Sequence, residues 1–455
     1  MRTVSLALRS LACIAALCAT RAAISGELPS GVVVRVDQRD VSDDEFAEFV
    51  GTETLHEAAA TELLELMEQD RVIELEAARR QISASESDVD DAWRRLDAEA
   101  RRQQNGPGLA EALAQRGVSE DEFRHELHRL VLLDRMARQD FGIVAEDPVP
   151  PEKQNLWLQD RMAHARITAV DEPGIVARVE DTPITAADLG RRYLKDLARR
   201  GHRDRQLLDQ LVGIVAIESD AAKKGVTLGD ADLARAIAES ERRLREKPGF
   251  EDAALDDVLK KTGRSVDRLK SSRRFRAMLL LERLADRRWP RAELKKYRDE
   301  HAAELDGKIG ASLELRTIFL RAGTEGARTT GFVKRGYPDA EAELAALRQR
   351  IEKGEIEFAT AAKTRSEHAT APSGGALGAV RAATPGLEAL FAAANGAQDG
   401  ALVGPVRTVD GVHLLQVVAH RPAPPFEQVE GAVRADARDA YLRELTSQAV
   451  VTRRE

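Results

Sequence analysis

The sequence predicts an α+β protein, with two mostly α-helical modules followed by a smaller domain built on antiparallel strands. Three observations carry this. Asp399 to Arg421 (D-G-A-L-V-G-P-V-R-T-V-D-G-V-H-L-L-Q-V-V-A-H-R) holds two short apolar runs, Leu402 to Val406 and Val412 to Val418, parted by a turn ending in Asp410-Gly411. That is the pattern of a β-hairpin. Upstream, an internal repeat recurs at a nearly constant offset, as a duplicated unit does. Finally, aromatic residues make up 4% of the chain and charged residues 32%, which favours long solvated helices over one large core.

Taken in order, the chain opens with Arg2 and Arg9 at the start of an apolar stretch, Leu11 to Ala19, followed by small residues through Ala22 and Ala23. This is the order of a secretory signal peptide, expected over residues 1–25, with cleavage between Ala19 and Gly26. It is too short to anchor the chain as a transmembrane helix. Both cysteines, Cys13 and Cys18, fall inside it, so the mature chain is expected to have no disulfide and no thiolate metal site. An acylated lipoprotein cysteine is the competing reading, but Ala15, Ala16 and Leu17 match a lipobox poorly. Removing Arg2, Arg9 and Arg21 from a formal charge of −8 leaves −11. So acidic a protein is a poor general binder of nucleic acid or anionic membrane.

The repeat pairs Val32–Phe46 with Gly174–Leu189, Glu76–Ser83 with Asp220–Thr227, and Gln115–Arg124 with Lys261–Lys270. Each copy begins with a strand-like run, Val32 to Val36 or Ile175 to Val179. A turn follows, then an N-cap candidate, Ser42 or Thr185. Amphipathic helices come next. In the first copy Leu63, Leu66, Met67, Val72 and Leu75 keep helical spacing, as do Phe123, Leu127, Leu130 and Val131; in the second, Leu207, Leu208, Leu211, Val215, Phe275, Met278 and Leu279 do so. The modules are expected at 26–145 and 174–305. Between them a linker, 146–173, is punctuated by Pro148, Pro150, Pro151 and Pro173 and carries a helix from Lys153 to Arg166. A similar helix, Arg291 to Leu305, leads into a domain at 306–422, and residues 423–455 form a terminal helix.

In that domain, Leu313 to Leu320 reads as a strand and Asp339 to Ser366 as two helices around a turn marked by Gly354, Phe358 and Ala362. Ser366 precedes Gly374-Gly375-Ala376-Leu377-Gly378, and the hairpin closes the domain. Gly374, Gly375 and Gly411 allow backbone with positive φ. By alternation His413 shares a strand face with Leu415 and Val417, as Thr317 does with Leu315 and Phe319. A histidine there is either a satisfied core residue or an active-site one.

The order and spacing of these pieces, over about Ser312 to Arg421, resemble parvulin-type (rotamase) peptidyl-prolyl isomerases. Strand-turn-helix openings ahead of such a domain resemble the chaperone region of SurA- and PrsA-like exported foldases. The resemblance implies an antiparallel four-stranded sheet with surrounding helices. It implies isomerisation of X-Pro bonds without any cofactor, and a site at His413, Ser366 and Thr408. Thr317 stands where the family usually has its first-strand histidine, and His368 where it has Cys or Asp. Thr317 keeps a hydrogen-bonding group of shorter reach, and His368 can donate a hydrogen bond. Phe391, Phe319 and either Leu387 or Gly386 are implied as the proline pocket, and Ala376 replaces the usual aspartate.

The expected partners are therefore unfolded or proline-containing client polypeptides, in a periplasm or outside the cell, with no nucleic acid and no transmembrane anchor. The alternative is a non-catalytic chaperone or scaffold whose degenerate sheet domain only binds peptide. A purely structural envelope protein is a third reading, and it would bind no client. No metal is expected: His125, Glu126 and His128 lack the i,i+4 histidine pair. The Gly-rich segment Thr324 to Gly331 lacks a Walker lysine and reads as a loop. The charge runs Arg242 to Lys247 and Arg283 to Arg291 read as solvated helix faces.

Overall fold

The computed structural model describes residues 24–25, 28–104, 108–144, 149–170, 172–200, 205–261, 264–324 and 335–454. The expected leader up to residue 23 and most of the Gly-rich segment, 325–331, lie outside the described residues. Two compact units emerge: Met1–Leu284 with Ala440–Glu455, and Ala285–Asp439.

In the first unit each repeat opens with a hairpin. After β1 (Ile24–Ser25), β2 (Val32–Val36) and β3 (Arg39–Ser42) pair antiparallel, and after β4 (Ile167–Ala169) the same is true of β5 (Ile175–Val179) and β6 (Thr182–Thr185). The turns place Asp37 and Glu180 at φ of 55° and 53°. Positive φ at such positions matches the right-handed twist of the strands. Ser42 and Thr185 accept the N–H of Glu45 and Asp188, capping the helices Asp43–Thr54 and Ala186–Arg199. These two helices cross at Ala47, Gly51 and Gly190, where the backbones meet with no side chain between them.

The helical stripes are buried or half-buried, as their spacing predicts, at all but two positions. Val72, Leu127, Leu208, Leu211, Val215 and Phe275 lie in the core. Leu66 and Leu130 do not, with 45% and 48% of their surface exposed. Leu66 lies on the same side of its helix as Ile73 and Ala77, which are covered by Leu132, Leu133 and Met136. It sits two turns earlier, beyond that cover.

Three sequence boundaries are corrected. The helix expected over Lys153–Arg166 runs instead over Pro151–His164, and its Trp157 is buried among Ile73, Ala77 and Met136. It starts at Pro151 because a missing N–H costs nothing in a first helical turn. The helix expected over Arg291–Leu305 is two, Arg291–Glu300 and Ala302–Ile309, joined at His301. Beyond the terminal helix Phe426–Gln448 runs a strand, β11 (Val451–Arg453), paired with both β1 and β2. Pairing with β11 draws the tail from Ala440 into the first unit, and Ile24 and Ser25, expected as the end of the leader, form part of that sheet. Both unit boundaries reflect contacts between distant segments, to which local periodicity is blind.

The second unit holds an antiparallel sheet in the order β8-β7-β10-β9: β7 (Ser312–Arg321), β8 (Ala376–Val380), β9 (Leu402–Thr408) and β10 (Gly411–Arg421). One face packs Ile318, Leu320, Val412 and Leu414 against the helices Tyr337–Glu352 and Phe358–Arg365. The other presents Leu313, Leu315, Leu415 and Val417 to the short helix Glu388–Ala394. The architecture is α+β, with the four-stranded sheet toward the C-terminus.

Candidate active site

The site grows from the two central strands. In their antiparallel register His413 stands opposite Phe319, and Leu415 opposite Thr317. Cross-strand neighbours on one face are close enough to touch, and diagonal ones are within reach of long side chains. The His413 and Phe319 rings accordingly lie 4.6 Å apart between centroids, tilted by 34°. On the diagonal, the Thr317 hydroxyl and His413 Nδ1 share a hydrogen bond of 2.9 Å. Thr317 is completely buried and His413 is 7% exposed.

The loop after the helix Phe358–Arg365 adds the third side of the site. Ser366 Oγ accepts the backbone N–H of Phe319 at 3.0 Å and of His368 at 3.2 Å, stitching this loop to β7. The stitch is reinforced where the Glu367 N–H donates to the Phe319 carbonyl and the Glu367 carboxylate accepts the Arg321 N–H. His368 then meets the edge of Phe319, with centroids 6.2 Å apart and rings near perpendicular at 85°. Its Nδ1 accepts the Thr370 N–H at 3.2 Å and lies 2.8 Å from the Thr370 hydroxyl. A ring nitrogen that accepts carries no proton, so neutral His368 holds its proton on Nε2.

Of the residues singled out from the sequence, Thr317, Phe319, Ser366, His368 and His413 come together. Leu387 and Phe391 pack on the apolar cluster of Leu315, Leu390 and Val417. Thr408 does not join: its hydroxyl donates to the Gly411 carbonyl at 3.2 Å, inside the hairpin turn. The residue bonded to the imidazole is Thr317. Sequence reading missed Thr370, which orients His368, and Glu367, which ties the loop to β7. The signal for Thr370 was a hydroxyl two residues beyond the loop histidine His368, a spacing suited to local hydrogen bonding. Among the described residues no group of three His, Cys, Asp or Glu side chains could hold a metal ion.

Burial is the main cause that pushes the His413 imidazole from its ordinary 6.5 down to about 4, and the neighbouring His368 adds to it. The ring is therefore neutral at physiological pH, a weakly polar surface beside an aromatic one. Because the folded pKa lies below the unfolded one, the unfolded chain binds more protons between those values. Stability from this residue is complete above pH 6.5 and falls as pH drops toward 4, by about 3 kcal/mol in all. His413→Gln should remove that slope. Urea unfolding at pH 7 and pH 4.5 should show the wild type losing about 2–3 kcal/mol more than the variant.

Residues 325–419 match the family model described as Rotamase, PPIC-type PPIASE domain. The chain is 33% identical over 127 residues to Chaperone SurA of Polaromonas sp., covering 28% of this chain and 24% of that one. It is 27% identical over 372 residues to Chaperone SurA of Ralstonia nicotianae, covering 80% and 65%. The chain thus spans about a quarter and just under two thirds of the curated relatives it matches. A solved PpiC-type peptidyl-prolyl cis-trans isomerase domain is 27% identical, with a TM-score of 0.22, over 26% of this chain and 96% of that one. The chain therefore contains a PPIC-type rotamase domain and is similar, over most of its length, to SurA chaperones.

Proposed function

We propose that this chain is an exported foldase, in which the helical modules hold an unfolded client and the sheet domain isomerises its X-Pro bonds. The observation that carries the proposal is the neutral, Thr317-bonded His413 tilted against Phe319, with His368 edge-on to the same ring. Cis–trans exchange breaks no bond; the barrier of about 18–20 kcal/mol is lost amide resonance. A site lowers it by holding the twisted amide better than either planar form, with water kept from the carbonyl. Here Phe319, Leu387 and Phe391 supply the apolar surface for the proline ring. His413 and His368 supply fixed polar edges for the twisted amide. Thr317 orients His413, and Ser366 and Thr370 orient the His368 loop. No cofactor takes part.

Export, with a periplasmic location, is proposed from the leader pattern of residues 1–25. Among the described residues, no helix is long and apolar enough to cross a membrane. Clients are proposed to be unfolded, proline-containing polypeptides. The second reading, a domain that only binds peptide, is favoured by one observation: Thr317 stands where a second imidazole would complete the usual pair.

One experiment separates them. Exchange of a short X-Pro peptide is followed by NMR with the full chain and with its His413→Ala variant. Acceleration that drops at least about tenfold in the variant, a loss of ~1.4 kcal/mol of transition-state stabilisation, supports the enzyme. No acceleration by the wild type, with peptide shifts still reporting binding, supports the second reading and ends the first.

A further inference from the structure

The two repeats each end in a closing segment, and the strands of these segments are exchanged. The helix Pro151–His164 passes through Ala165 and Arg166 into β4, and the helix Phe426–Gln448 passes through Ala449 and Val450 into β11. Each helix is anchored to its own repeat. Trp157 Nε1 donates to Asp140 at 2.8 Å and Arg161 to the same carboxylate at 3.0 Å, and Asp140 belongs to the first copy. The Tyr441 hydroxyl donates at 2.7 Å to Asp220, which lies on the second copy's helix Arg205–Lys223. The strands go the other way: β4 pairs with β5 of the second copy, and β11 with β2 of the first.

The two exchanges match residue by residue. Ile167, Thr168 and Ala169 face Val179, Arg178 and Ala177; Val451, Thr452 and Arg453 face Val36, Arg35 and Val34, the equivalent positions of the other hairpin. Both hairpins carry a register irregularity at the same place, between Ile175 and Ala177 and between Val32 and Val34. The turn amides make the same bond, Glu180 N–H to the Arg166 carbonyl and Asp37 N–H to the Val450 carbonyl, each 2.8 Å. The crossing helices touch at Ala47 and Gly190, which are themselves equivalent in the repeat.

We infer that the first unit is a strand-exchanged pair folded from one chain, in which the outer edge of each hairpin is an interaction surface for the closing strand of the sister repeat. The partner this edge fits is a second copy of the repeat, supplied here in the same chain. The sheet domain interrupts the second copy between the helix Arg273–Arg288 and its closing helix, where the first copy runs through residues 142–150. The first copy's sheet is complete only when Val451–Arg453 pair with it. An open strand edge otherwise leaves backbone donors and acceptors for any passing strand.

The test is reciprocal and uses the full chain. Alternation from the bonded pair Asp37–Val450 makes Thr452–Arg35 the next bonded pair, and likewise Thr168–Arg178 after Glu180–Arg166. Thr452→Pro and Thr168→Pro each delete one such donor. Amide hydrogen exchange should quicken by about tenfold or more at Asp37 in Thr452→Pro, and at Glu180 in Thr168→Pro, each leaving the other amide within about twofold. Val451→Ile with Arg453→Ala, which writes the first copy's strand sequence into the second's place, should keep the Asp37 amide slow. The inference is overturned if each proline acts on its own copy's hairpin, if both amides quicken alike in both proline variants, or if neither does. It is equally overturned if the exchanged sequence frees Asp37.

Discussion

Gly190→Ala should destabilise the first unit by about 2 kcal/mol or more, although alanine is the better helix former. A Cβ at position 190 would stand 1.8 Å from the Ala47 carbonyl oxygen and 2.7 Å from its carbon. Both atoms belong to the backbone of the opposing helix, so relief requires the two helices to separate. Overpacking of a tight contact costs about 1–3 kcal/mol, more when backbone must move, while helix propensity returns about 1. Gly431 in the helix Phe426–Gln448 is the control of opposite sign: no atom lies within 4 Å of a Cβ there. Gly431→Ala should stabilise by about 0.5–1 kcal/mol. Thermal unfolding followed by tryptophan fluorescence reads both, Trp93 and Trp157 lying in the first unit and Trp289 in the second.

Gly375→Ala should cost the second unit about 3 kcal/mol and dismantle the candidate site with it, since strain and overlap combine there. Gly375 has φ of 75°, and a Cβ would stand 2.1 Å from the Thr317 carbonyl oxygen. Its own carbonyl accepts the Thr317 N–H at 2.8 Å. Accommodating the methyl therefore moves the strand residue whose hydroxyl is bonded to His413. Two readouts should change together: a lower melting temperature, and an imidazole that titrates closer to its ordinary 6.5 as water reaches it. A melting temperature that falls while His413 still titrates near 4 would show that Thr317 keeps its place and that the glycine serves stability alone.

Much of the molecule was legible from local pattern. The paired Asp-Gly and apolar runs marked β9 and β10, and the N-cap candidates Ser42 and Thr185 marked helix starts. Both signals act over a few residues, where backbone propensity and capping chemistry decide. Among site residues, alternation put His413 on the Leu415 face and Thr317 on the Phe319 face. Alternation does not give the cross-strand register, so it could not say that Thr317, and not Thr408, meets the imidazole. Nor could it assign Trp157 to a core, because the residues that bury it lie on two other helices.

The sequence by itself determined the class of fold, the duplication, the order of elements and the short list of polar residues near the hairpin. These depend on contacts between neighbours in the chain, which leave periodic traces. Only the tertiary structure decided which strand completes which sheet, where helices approach closely enough to exclude a methyl group, and that His413 is dry enough to remain neutral. Each of those is set by segments far apart in sequence meeting at a definite register, and by the water their meeting displaces.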